Sequence, residues 1–118
     1  MTVFRNFEEK ALRLLLADCL PKETLEAVLS HATLESYEYT GVGYFLEAHH
    51  PSLPVEHATC HEPHDVGEAN GVLAGFLAFL GGHKLTLECH SWGGSEVPPE
   101  FRDQQVQVSI VTISETAT

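Results

Sequence analysis

Residues 71–90 read GVLAGFLAFLGGHKLTLECH, and the reading of this stretch decides the fold. Asn70 stands where a helix cap would stand, but Gly71 and Gly75 would each cost about 1 kcal/mol in a helix interior. The residues after the glycine pair alternate as those of a strand do: Leu85, Leu87 and Cys89 fall on one side, Lys84, Thr86, Glu88 and His90 on the other. Gly81-Gly82 has the composition of a two-residue type I′ turn, so the stretch reads as a β-hairpin. Its first strand is apolar on both faces, with Val72, Ala74, Phe76, Ala78 and Leu80 on one and Leu73, Leu77 and Phe79 on the other. One of those faces needs a cover that the rest of the chain must supply, or a partner must.

Working outward, the N-terminal third has helical periodicity. Asn6 and Glu9 have the spacing of a capping box, and Leu12, Leu15, Leu16 and Cys19 form one apolar stripe with Glu8, Glu9, Arg13 and Asp18 left to water. Pro21 breaks or restarts the helix, and Leu25, Val28, Leu29 and Ala32 supply a second short stripe. Beyond Ala32 the period falls to two: Tyr37 and Tyr39 share one side of a strand, and Tyr44, Phe45 and Leu46 open another after Gly41 and Gly43. Residues 49–70, with Pro51, Pro54, Pro63 and Gly67, read as one long loop, and residues 91–103 as a second irregular connection. The tail, QQVQVSIVTIS, is the last strand, in which Val111 and Ile113 break the phase of Val106, Val108 and Ile110 and imply a bulge or burial on both sides. Helices first and strands afterwards predict one α+β domain over 1–118, with two N-terminal helices packed on a mainly antiparallel sheet of about five strands.

Charge bounds the partners. The chain of 118 residues has a formal charge of -11 and is 43% hydrophobic, which is compatible with a packed core. Between Lys22 and Lys84 there is no Lys or Arg, while nine carboxylates fall there, among them Glu35, Glu38 and Glu47. A one-sign surface of that kind repels phosphate backbones and anionic membranes and speeds encounter with a basic protein. The longest apolar run, residues 72–80, is short of the roughly 18–20 residues that span a bilayer. Acids at Glu8, Glu9 and Asp18 interrupt the N-terminal apolar stretch, so no export signal is read. Three cysteines, Cys19, Cys60 and Cys89, with no C-x-x-C pair, point away from a disulfide framework and toward a reducing cytoplasm.

Two stretches carry a resemblance. Residues 39–45, YTGVGYF, and residues 75–82, GFLAFLGG, together with Leu85, Leu87, Glu88 and then Trp92, resemble a group of short bacterial proteins with a T-G-x-G-[FY]-[FY] stretch and a later apolar strand, glycine turn and L-E pair. The likeness covers roughly residues 37–100. It implies the strand reading of both segments and no particular activity.

The densest chemistry lies in HHPSLPVEHATCHEPHD, residues 49–65. Imidazole and thiolate are the ligands of choice for zinc, and His57, Cys60, His61 and His64 have ligand-like spacing, although Pro63 prevents a regular helix through them. The alternative is a solvated loop with surface histidines. Cys89 and His90 are adjacent in a strand and point to opposite faces, so they do not form a nucleophile-base pair. Gly41 and Gly43 lack the third glycine and the helix that complete a dinucleotide-binding turn. Trp92, at a strand end, either caps the core or anchors a partner, and Glu47 and Glu88 read as solvent-side carboxylates.

These features predict a non-enzymatic, acidic binding module that masks a basic protein, with Glu35, Glu38, Glu47, Leu73, Leu77, Phe79 and Trp92 as the contact residues, or that self-associates through the same apolar side chains. A metal-binding or metal-dependent protein using the histidine loop, with zinc as one candidate ion, is the second expectation, and a small-ligand enzyme with its site between loop and sheet the third.

Overall fold

The computed structural model describes residues 2–92, 94 and 96–111. Helix α1 spans Asn6–Leu16 and α2 spans Lys22–His31; the strands are β1 Thr33–Tyr39, β2 Tyr44–His49, β3 Ala58–Cys60, β4 Asp65–Ala69, β5 Val72–Gly81, β6 Lys84–Ser91 and β7 Gln107–Ile110, with a 3-10 turn at Pro99–Asp103. The sheet runs β1-β2-β6-β5-β4-β7, every pair antiparallel, and β3 adds to the edge of β5 beyond β4. The α+β architecture stands as expected, with seven strands among the described residues in place of about five. The two additional strands lie in the stretch read as a long loop. Neither Ala58–Cys60 nor DVGEA at 65–69 shows apolar alternation by itself. They are strands because β5, ten residues long, presents enough edge to pair with both.

The hairpin of β5 and β6 is as the sequence implies, shifted by one residue. Gly81 pairs with Lys84, and the turn is Gly82-His83, with φ of +61° and +62°. These are the left-handed values that a type I′ turn requires at both central positions. On β6, Leu85, Leu87 and Cys89 are buried, and Lys84, Thr86, Glu88 and His90 are half-buried. Helix α1 packs against β4, β5 and β7, bringing Phe7, Leu12, Leu15 and Leu16 onto the face that carries Ala74, Phe76 and Ala78. The tail strand is confined to Gln107–Ile110, with Val108 buried and Ile110 exposed; Ile113 lies outside the described residues.

Three local expectations are corrected. Helix α1 is capped one residue earlier than expected, at an extended Arg5, and the carboxylate that reaches back to the cap is Glu8, whose Oε1 accepts the Arg5 N–H at 2.8 Å. Glu8 is therefore not a water-facing residue: it is fully buried. Its carboxylate accepts Nε (2.7 Å) and Nη2 (3.0 Å) of Arg102 and the hydroxyl of Tyr44, so nearly every lone-pair direction is occupied. Third, Cys19 and Cys60 are joined in a disulfide, which ties the segment after α1 to β3. Their Cα atoms become neighbours only through the fold, across 41 residues of sequence, so no local spacing marks the pair. Such bonds persist in oxidising compartments, and the expectation of a reducing cytoplasm loses the support it drew from unpaired thiols. Cys89 alone remains free, buried, with burial first and the nearby Glu8 charge second pushing its thiol well up.

Candidate docking face of the sheet

Both helices lie on one side of the sheet, and the register shows what the other side carries. Opposed residues of an antiparallel pair point to the same face. Three cross-strand rows result. Glu38, Phe45, Glu88 and Leu77 form one; Ser36, Glu47, Thr86, Phe79 and Thr59 form the next; His90, Gly75 and Val66 form a third. Leu73 continues the same face of β5 and lies beside Glu68 on β4; Trp92, beyond the end of β6, donates its N–H to the Leu73 carbonyl. Leu73 is 36% exposed and Phe45 38%, while Leu77, Phe79 and Trp92 are half-buried. No helix among the described residues covers them.

The seven residues singled out in the sequence for partner contact thus share one face. Glu35 joins it through a β-bulge between Leu34 and Ser36 and lies 3.7 Å from Lys84 Nζ, which also lies 3.7 Å from Glu47. Such long, exposed pairs contribute little to stability. What they show is where the charge sits. Of the six Lys and Arg residues, Arg5, Lys10, Arg13, Lys22 and Arg102 belong to the helical elements and their caps, and only Lys84 stands on this face. Against it are Glu35, Glu38, Glu47, Glu68 and Glu88.

One corner is more ordered. A side chain on Gly75 would begin 2.6 Å from His90 Nε2 and 2.8 Å from Trp92 Cε3, so both rings rest directly on the glycine backbone. The His64 ring stands 6.5 Å from that of Trp92, and His90 Nδ1 faces Glu88 Oε2 at 3.6 Å. Trp92 is accordingly neither a core cap nor free; it roofs one end of the open face. At the other end Glu47, His57, Phe79, Lys84 and Thr86 line a shallow hollow of about 170 Å³.

The histidine loop does not converge. Cys60 Sγ is bonded to Cys19, His57 lies over Gly81, His64 beside Trp92, and His61 is exposed near the disulfide. Among the described residues, no three His, Cys, Asp or Glu side chains stand close enough to share a metal ion. Cys89 and His90 occupy opposite faces, as expected.

Sequence reading missed two buried acids. Glu8 is balanced by Arg102, whose Nη2 also donates to the Val3 carbonyl at 2.7 Å and whose guanidinium lies 5.4 Å from the centre of the Tyr37 ring. Burial alone would lower Arg102, but the hydrogen bond and charge of Glu8 hold it above its ordinary value. Burial, with Glu8 adding to it, also pushes Tyr44 up, so Tyr44 is a hydrogen-bond donor throughout the ordinary pH range. Asp65 is the opposite case: it is 1% exposed, and neither carboxyl oxygen has a hydrogen-bond partner among the described residues. Burial raises it from 3.8 to about 7. Nothing local in the sequence pairs Glu8 with Arg102, 94 residues away, or marks Asp65 as buried.

A cleft of about 260 Å³ lies beside the start of α1 and is lined by Arg5, Arg102, Asp103 and Gln104 among others. Its charges are already matched, Arg5 by Asp103 at 3.0 Å and Arg102 by Glu8. The open sheet face, by contrast, carries five glutamates and one lysine. No helix among the described residues is long and apolar enough to cross a membrane. Comparison with protein-family models, with curated proteins and with solved structures gives no match to this chain.

Proposed function

We propose that this chain is a non-enzymatic binding module that masks a basic surface of a protein partner with the helix-free face of its sheet, in the manner of toxin-neutralising immunity proteins. The observation that carries the reading is the sorting of charge: five of the six bases lie with the helical elements, while the open face holds five glutamates around Phe45, Leu73, Leu77 and Phe79. Apolar side chains half-exposed among acids fit a partner that presents Lys or Arg with aliphatic stems, since those stems cover apolar surface while their heads meet carboxylates. The same field steers encounter, so association should be fast at low salt and slow once the Debye length falls to about 8 Å.

The test is capture of basic proteins by three forms of the chain: wild type, Glu38→Lys/Glu47→Lys/Glu88→Lys on the face, and the equally charge-shifted Glu9→Lys/Glu23→Lys/Glu100→Lys on the helical side. The reading expects the third form to retain the wild-type partner and the face variant to lose it. Equal loss in both would reduce the effect to net charge and overturn it.

A further inference from the structure

Strand β1, TLESYEY, ends the sheet: it pairs with β2 on one edge and with nothing on the other among the described residues. Six of its seven residues are exposed, including Leu34 at 50% and Tyr37 at 40%. A long exposed edge strand is a template for another strand, and proteins usually blunt one with charge or a bulge. Here both devices are present, and together they do something more specific. Leu34 and Tyr37 are three residues apart, which in a regular strand would put them on opposite faces. The bulge at Glu35 restores them to one side: Leu34 pairs with buried Ala48 and Tyr37 with buried Leu46, both on the helix side. Glu35, Ser36 and Glu38 are left on the open face, with Glu35 directed at Lys84 and Glu38 in the row of Phe45 and Glu88. The edge is thereby sorted into an apolar side and an acidic side.

Building on the reading of a basic partner, we infer that β1 is the site at which an extended segment of that partner adds as a further strand, and that the segment alternates basic and apolar residues. Backbone pairing along β1 would supply affinity. Side chains would supply selectivity: apolar residues beside Leu34 and Tyr37, Lys or Arg beside Glu35 and Glu38, because opposite charges across a strand pair are favourable and like charges unfavourable. A second copy of this chain is the wrong occupant. It would bring another Glu35 and Glu38 to the same edge and set two chains of charge -11 against each other. On the helix side, the charged groups near Tyr37 are Arg102, paired with Glu8, and Asp103, paired with Arg5, so that side accepts apolar residues without an unmatched charge.

The experiment uses capped peptides as long as β1, with amide shifts of the full chain as the second readout. A peptide alternating lysine and valine should bind and shift Leu34 to Glu38. Methylating alternate backbone nitrogens, which keeps every charge and removes strand pairing, should weaken it by at least about tenfold, and Glu35→Lys/Glu38→Lys should do the same. Equal binding of the methylated peptide, or absence of binding by the alternating one, would overturn strand addition. Shifts confined to Leu77 and Phe79 would also overturn it while leaving the open-face reading intact. A dimer in sedimentation that the alternating peptide cannot dissociate would assign the edge to a second copy instead.

Discussion

The two faces of this sheet treat carboxylates in opposite ways. Under the helices, Glu8 is wholly enclosed and receives the Arg5 amide, the Tyr44 hydroxyl and two nitrogens of Arg102. On the open face, five glutamates surround one lysine, which lies 3.7 Å from two of them, Glu35 and Glu47. An acid that is matched so completely is part of the architecture, whereas acids left unmatched beside half-exposed Phe45 and Leu73 contribute little to the fold and are available for a partner. Asp65 belongs to neither class. It is as buried as Glu8, and its carboxyl oxygens accept no hydrogen bond among the described residues.

Stability measurements test that contrast. The largest effect is expected at Glu8. Glu8→Ala leaves Arg102 half-enclosed without its counter-charge and Tyr44 without its acceptor, and should cost about 3–5 kcal/mol in denaturant unfolding. Glu8→Leu combined with Arg102→Met should cost clearly less, since the unpaired charge is then gone. Additive losses would mean that the pair is not a unit.

Asp65 gives the next effect, and its sign is opposite. Its folded value, about 7, stands above the ordinary 3.8, so the folded state holds the proton more tightly. The contribution to stability is complete below the ordinary value and is lost as pH rises through about 7, by up to about 4 kcal/mol. Asp65→Val should therefore be more stable than wild type at pH 8, with the advantage shrinking toward pH 4. An advantage independent of pH would show that the carboxyl is not protonated in the fold.

Cleaving the Cys19–Cys60 bond, by reduction or as Cys19→Ser/Cys60→Ser, releases a constraint across 41 residues and should lower unfolding free energy by about 2–4 kcal/mol. Gel mobility under reducing and non-reducing conditions establishes the bond first.

How much of this was legible in the sequence depends on the range of the forces involved. The hairpin, both helices and the alternation of β6 are set by neighbours in sequence, and their apolar periods announce them. Strands β3 and β4 have no such period; they exist because β5 offers an edge, and that edge is visible only once the sheet is assembled. The same holds for the disulfide and for Glu8, whose partner is 94 residues away. The seven face residues stand out in the sequence by charge and apolar character, and alternation alone was enough to keep Leu73, Leu77 and Phe79 together; what the sequence withheld was that Glu35, Glu38 and Glu47 join them, which depends on the bulge and the β1–β2 register. The histidine loop shows the converse error: proximity along the chain, divided among the disulfide, Gly81 and Trp92 in space.

On the open face the expected stability effects are the smallest. Glu38→Lys, Glu47→Lys or Glu88→Gln should change unfolding free energy by no more than about 0.5 kcal/mol, because exposed pairs contribute little. A loss as large as that at Glu8 would erase the distinction between the faces.

The central claim is tested most directly by backbone amide exchange of the chain alone and in complex with a captured basic protein. The open-face reading predicts added protection on β1, β2, β5 and β6, centred on Phe45, Leu77, Phe79 and Glu88, with α1 and α2 unchanged. Protection concentrated on the helices, or around Arg5 and Asp103 beside the start of α1, would contradict it.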